Sequence, residues 1–196
     1  MQPQRITALR PAGSRLAVEL DGRPWRVISV RAAVDAGLSD GIELDRHRAR
    51  ALARALRRER AEGVALRALA RRDESRHALS TRLARAGVTP DTRREVLDRA
   101  TDAGLLDDAR YAAARAFALA ERSGDLLILD DLRRRGIDEQ CARAAVAALE
   151  PESARVRRLV ATRGVSAKTV RRLGTRGFSE ESLEGLVAQV ETGALR

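Results

Sequence analysis

The spacing of apolar residues changes at about residue 45. Before it they alternate: Arg5-Ile-Thr-Ala-Leu9 and Leu16-Ala-Val-Glu-Leu20 repeat with the period of two that marks a half-buried strand. Asp21-Gly22 suits a type I′ turn, whose two central residues both need positive φ. Trp25-Arg-Val-Ile-Ser29 is therefore predicted to return as a strand, with Pro24 holding it to an edge or a strand start. A short helix from Val30 to Ala36 should end at Gly37, and Ser39-Asp-Gly41 should turn the chain again. Three strands at most are expected, too few for an independent core. Residues 1–44 thus read as a small β-hairpin cap docked on the helices beyond residue 45.

From Asp45 onward the period is helical. Asp45 suits an N-cap, and Ala49, Leu52 and Leu56 begin one long apolar face. Gly63 falls inside it as a point of bending or breakage, after which Val64, Leu66, Leu69 and Ala70 continue the pattern. The chain then repeats itself. Leu79 and Leu83 stand eight and four residues before Gly87, and Ile128 and Leu132 stand likewise before Gly136. Leu173 stands four before Gly177, with Val170 one position out of register. In each case a helix buries its apolar pair and a glycine takes the left-handed C′ position. An apolar residue comes next, and Thr89, Asp138 or Ser179 caps the next helix. Those next helices are predicted over 90–103, 139–149 and 180–190. One such unit buries too little alone, so neighbours are expected to stack. The fold predicted is mainly all-α: an elongated stack of three tandem three-helix repeats behind the β-hairpin region. The boundaries expected are 1–44 for the cap, 45–104 for the entry helix with repeat 1, 105–150 for repeat 2 and 151–196 for repeat 3.

Charge sharpens this picture. The net charge of +10 is carried by 37 arginines and one lysine, and a basic balance suits a nucleic acid or an acidic protein as partner. Segment 45–104 has 16 basic against 9 acidic residues, so a polyanion would meet it first, whereas 105–149 has 7 against 8. Candidate partner or phosphate contacts are Arg57, Arg58, Arg71, Arg72, Arg82, Arg133, Arg134, Arg135, Arg157, Arg158, Arg171 and Arg172. A solvated helix face is the plainer account of any one run, and Arg133–Arg135 and Arg85 also complement a helix C-terminus. The only aromatics, Trp25, Tyr111, Phe117 and Phe178, each fall where a core residue belongs. Base stacking is therefore not expected, and any DNA contact should be to phosphates, weak and indifferent to sequence.

Little here suggests catalysis. His47 and His77 lie in arginine-rich surroundings and read as surface residues. Metal-ligand and phosphate-loop motifs are missing, so no cofactor is expected. Asp107-Asp108 reads as a helix N-terminus and Cys141 as a small core residue. A single cysteine, no long apolar run and no secretory signal at Met1–Ile6 point to a cytoplasmic protein without a membrane contact.

Several motifs carry a family resemblance. Ala68-Leu-Ala-Arg-Arg-Asp-Glu-Ser75, followed by Leu79, Leu83 and Gly87, resembles the opening repeat of RecX proteins. Ala103-Gly-Leu-Leu-Asp-Asp-Ala-Arg-Tyr111-Ala and Gly124-x3-Ile128-x3-Leu132-x3-Gly136-Ile137 are similar to two of their signatures, and the hairpin and the entry to Asp45 to longer members. The resemblance implies a curved helical-repeat monomer lying in the groove of the RecA–DNA filament. It also implies inhibition of RecA's ATPase and strand exchange, in DNA repair, recombination and the SOS response, with no catalytic residues. Two positions depart. Arg115 stands where relatives carry a bulky apolar residue, with Phe117 as the substitute expected, and Leu126-Leu127 stand where they carry cations. The helical phase predicts that Leu127 faces solvent.

Two other readings compete. A helix-turn-helix or sequence-nonspecific DNA-binding regulator lacks support, because no helix concentrates base-reading side chains and the chain has no Asn. A helical scaffold for an unrelated partner is also compatible with the composition.

Overall fold

The computed structural model describes residues 4–191. Met1–Pro3, where a secretory signal would begin, and the last five residues of the predicted third repeat lie outside it. The described chain forms two compact units, one of residues up to 70 with 83–99, the other of 71–82 with residues from 100 onward.

The first unit holds a sheet of order β3-β2-β1-β4, built from β1 (Gln4–Ala12), β2 (Arg15–Leu20), β3 (Arg23–Ser29) and β4 (Glu43–Leu44). The β2–β3 turn has positive φ at Asp21 (50°) and Gly22 (76°), as the sequence predicts, and Pro24 sits near the start of an edge strand. The expectation of three strands needs correction. Residues 43–44 pair antiparallel with Gln4 and Arg5, and Ile6 exchanges backbone hydrogen bonds with Gly41 and Ile42 at 2.8 Å each. The inward face, Ile6, Val18, Leu20 and Ile28, packs on α1 (Val30–Asp35) and on Leu52 and Ala55 of α2 (Arg46–Leu69). The hairpin is thus a cap on a helix. Asp45 caps α2 through the Arg48 N–H at 2.8 Å, and the helix runs unbroken through Gly63.

The remaining helices are α3 (Arg76–Arg85), α4 (Pro90–Asp102), α5 (Asp108–Ala120), α6 (Asp125–Arg134), α7 (Glu139–Ala147), α8 (Glu152–Arg163), α9 (Ala167–Gly174) and α10 (Glu180–Glu191). Within the second unit, α5–α7 share one apolar core around Ile128, Leu132 and Ala142, and α8–α10 share another around Val156, Leu173 and Phe178. The glycine signature is geometrically uniform. Gly87, Gly136 and Gly177 have φ of 75°, 72° and 77°. The N–H of the residue after each glycine reaches back to the core leucine: Val88 to Leu83 O at 3.0 Å, Ile137 to Leu132 O at 3.1 Å and Phe178 to Leu173 O at 3.3 Å. These are Schellman closures, and all three leucines are buried. Asp138 and Ser179 cap α7 and α10 as expected, whereas the Thr89 hydroxyl meets Thr92 Oγ1 at 3.1 Å.

Two of these turns receive the N-terminus of an earlier helix. Ser75 Oγ donates to Arg135 O at 2.7 Å, and a Cβ on Gly136 would stand 2.3 Å from His77 Cβ. Gly124, which opens α6, donates to Arg176 O at 2.8 Å, and a Cβ there would stand 2.2 Å from the Gly177 and Phe178 backbone. Gly124 is therefore required by contact, since its φ of −78° suits any residue. Gly87→Ala should cost about 1 kcal/mol through left-handed strain alone, because its Cβ meets nothing. Gly124→Ala should cost more, up to about 3 kcal/mol, because backbone must move. Urea unfolding of both variants tests this, and equal costs would contradict it.

Candidate interface and a buried polar junction

Seven of the twelve candidate arginines are held by acids within their own unit. Arg58 pairs with Asp35 and lies 3.8 Å from Glu95. Arg72 and Arg82 clasp Glu74, a carboxylate only 5% exposed, at 3.2 and 2.5 Å. The Arg82 hydrogen bond holds the Glu74 pKa below its ordinary value against the opposing effect of burial, with Arg72 adding to it. Arg133 pairs with Glu139 at 2.7 Å, Arg134 with Asp130, Arg135 with Asp131 at 2.7 Å and Arg158 with Glu150 at 2.6 Å. The other five, Arg57, Arg71, Arg157, Arg171 and Arg172, are exposed, with no ion pair among the described residues. Sequence runs such as Arg57-Arg58 or Arg157-Arg158 therefore split, one member paired and one free.

The departures from the family pattern also resolve. Arg115 makes a two-point contact with Asp131 at 2.8 and 3.0 Å, and Asp131 also accepts from Arg135, whose guanidinium reaches the Tyr111 hydroxyl at 3.1 Å. With Arg115 first among the causes, the Asp131 carboxyl lies well below the usual carboxylate range. Phe117 does not take over the apolar role, because it is 75% exposed. Trp25 is likewise no core residue: it is 38% exposed, with the Arg26 guanidinium 4.5 Å from its ring centre. Both sit on surfaces where helix and strand periodicity alone predicts burial. Leu127 faces solvent as predicted, at 40% exposure. His47 and His77 are exposed, and Cys141 is half-buried, its thiol pKa raised by that burial and by nearby aspartates.

Sequence reasoning missed Arg155. It is 1% exposed and sits where α5 ends and α6 begins. Its guanidinium donates to Ala120 O at 3.3 Å, Ser123 O at 3.0 Å and Glu150 O at 3.1 Å, and pairs with Asp125. Beside it Glu152, also buried, accepts from the Asp125 N–H at 2.6 Å and from the Ser179 N–H and hydroxyl at 3.0 and 2.5 Å. Burial pushes the Glu152 carboxyl up, but the hydrogen bonds from Ser179 and Asp125 outweigh it and its pKa is lowered. Burial prevails at Asp125, whose pKa is raised despite Arg155. The only signal available in the sequence was the acidic residue three before it, at the same helix start.

Among the described residues no group of three or more His, Cys, Asp or Glu could hold a metal, and no helix is long and apolar enough to cross a membrane. Arg155→Met should destabilise the chain by about 3 kcal/mol, the lower end for a broken buried pair, because Asp125 keeps some solvent contact; Arg157→Met should change it by less than about 0.5 kcal/mol. Urea titrations would show the contrast, and equal effects would contradict the junction's role. Stability should also fall in acid. Glu74, Asp131, Glu139 (about 2) and Glu152 have lowered pKa values, so what they contribute is present above the unfolded carboxylate range and lost as pH drops through their folded values. Asp125 works oppositely but alone. A melting temperature unchanged between pH 6 and pH 3 would refute this.

No family model matches the chain. It is similar to regulatory protein RecX of Xanthomonas axonopodis pv. citri, 37% identical over 61% of this chain and 80% of that protein. It is similar also to the RecX of Chromohalobacter salexigens, 36% identical over 63% of this chain and 88% of that one. A match to RecX of Mycolicibacterium smegmatis, at 36% identity, spans 52% of this chain and only 55% of that protein. In fold it resembles a crystal structure of regulatory protein RecX, with a TM-score of 0.80 at 20% identity over 94% of this chain and 99% of that one. With identity above 30% across most of two relatives' lengths, and with its motifs seated on the helices and turns described, the chain belongs to the RecX family of regulatory proteins.

Proposed function

We propose that the chain regulates RecA by binding the RecA–DNA filament, lowering its ATPase and strand exchange, and that it acts as a cytoplasmic monomer without chemistry of its own. Family membership is the observation that carries this reading, and the surface supports it. Five of the twelve candidate arginines present unneutralised guanidinium groups suited to acidic protein surface and to phosphate. The three glycine turns, with helix N-termini docked on two of them, support a stack of three-helix repeats as the scaffold, divided near residues 45, 105 and 151. DNA contributes only a weak contact through its phosphates. A helix-turn-helix reading has no comparable support.

The test is RecA-coated single-stranded DNA, with ATPase rate and filament length followed as the protein is added. Both should fall with increasing protein. No change in either at saturation would remove the proposal.

A further inference from the structure

The charges of α2 are sorted by face. Its two internal acids serve the fold: Glu59 accepts from Ser29 Oγ at 3.0 Å and lies 3.9 Å from Arg15, and Glu62 binds Arg31 at 3.2 Å and Arg99 at 2.8 Å. Arg46, Arg50, Arg54, Arg57 and Arg60 are all exposed, and none has an acid partner among the described residues. At 100° per residue these five fall within about a third of the helix circumference, on the side away from Glu59 and Glu62. At 1.5 Å per residue the row is about 20 Å long, with roughly 6 Å between Arg46, Arg50 and Arg54. An evenly spaced, one-signed row of this kind matches a repeating anion better than a compact one.

The row ends in a groove. Arg57, Arg60, Ala61 and Val64 form one wall, and Gly87, Val88, Thr89 and Thr92 form the other, around a cavity of about 160 Å³. The second wall runs from the Gly87 turn into the first turn of α4, where the helix dipole favours an anion and the Thr92 hydroxyl, which accepts from Thr89, keeps its own proton to donate. Asp91 does not line it. Two free guanidinium groups opposite hydroxyls give a seat for one phosphate, continuous with the row.

We propose that this face of α2 is a site for the phosphodiester backbone of DNA, running along Arg46, Arg50, Arg54 and Arg57 and seating a phosphate between Arg60 and the start of α4. It rests on the weak DNA contact proposed above and gives that contact a location. Only Arg57 of this set belongs to an arginine run that the sequence singled out. The others stand apart in sequence and meet only on the folded helix. No aromatic side chain lines the groove, so the site reads charge and not bases.

The experiment measures binding of a labelled single strand and a duplex of equal length, without RecA, from low to physiological salt. The wild-type chain is compared with Arg50→Gln/Arg54→Gln/Arg57→Gln and with Arg23→Gln/Arg26→Gln/Arg122→Gln, which removes the same charge elsewhere. Each lost phosphate contact lowers the slope of log affinity against log salt by about 0.9 for duplex and about 0.7 for single strand. The α2 variant should bind at least tenfold more weakly at low salt with a slope smaller by about 2, while the other stays within about threefold of wild type. Circular dichroism should show both folded, because none of these side chains holds an acid. Equal losses in the two variants, or none in the first, would overturn the site. Failure of the wild-type chain to bind either DNA at low salt would overturn the DNA contact itself. Loss of RecA-filament binding with free-DNA binding intact would assign the row to an acidic protein surface and refute the proposal.

Discussion

A guanidinium buried at 1% exposure is tolerable only if each of its nitrogens is hydrogen-bonded and its charge is met. Arg155 satisfies both conditions by sitting among helix ends. Of the carbonyls it binds, Ala120 O ends α5, where the backbone dipole favours a cation, and Ser123 O and Glu150 O follow the ends of α5 and α7. The carboxylate it meets, Asp125, is the first residue of α6. Glu152 stands where the N–H groups that open α6 and precede α10 are left over by helix geometry. Cation at a C-terminus and anion at N-termini therefore come together, and the leftover backbone groups of three helices are answered by two side chains from the start of α8. Phe178, 5.9 Å from the Arg155 guanidinium, shields the cluster from the side.

A corresponding place earlier in the second unit is built with less charge. The Arg76 N–H at the start of α3 is accepted by Asp108, the first residue of α5, at 2.7 Å. Ser75 Oγ, fully buried, answers Arg135 O. In both places an acidic residue from the first turn of a later helix caps an earlier helix, so capping ties together segments 27 to 32 residues apart. Caps of this kind are local in residue type but not in sequence. That distinction decides how much of the structure could be read beforehand.

Features that depend on neighbouring residues were legible. The positive-φ pair at Asp21-Gly22, the caps at Asp45 and Asp138, the three left-handed glycines and the burial of Leu79, Leu83, Ile128 and Leu132 all arise from short-range pattern. Features that depend on distant partners were not. Strand β4 has two residues and exists because β1 is there to pair with it. Gly63 does not break α2, because Ala61, Ala65 and Ala68 on either side of it are buried and hold the helix. Phe117 and Trp25 share the periodicity of core positions but stay exposed, Trp25 with only the Arg26 guanidinium over its ring, and Arg155 looks like any other arginine of an arginine-rich helix. Within the candidate interface, the sequence could name arginines but not distinguish the paired from the free.

That distinction matters for any anionic partner. A guanidinium already bonded to a carboxylate must give up that bond, and leave the carboxylate unanswered, before it can serve a phosphate. For Arg72 or Arg82 this would strip Glu74, whose low exposure makes an unpaired charge costly. For Arg133 or Arg134 the cost is smaller, since exposed pairs are worth under about 1 kcal/mol. The arginines thus fall into four grades: Arg155 is fixed, the Glu74 and Asp131 partners are committed to the fold, exposed pairs such as those of Arg133 and Arg134 are released at small cost, and the free ones stand ready. Net charge describes their sum, but only the free group can meet an anion without breaking an ion pair. The basic excess of 45–104 acquires a direction on α2, because that helix's two acids, Glu59 and Glu62, lie on one side and leave the other to the arginines.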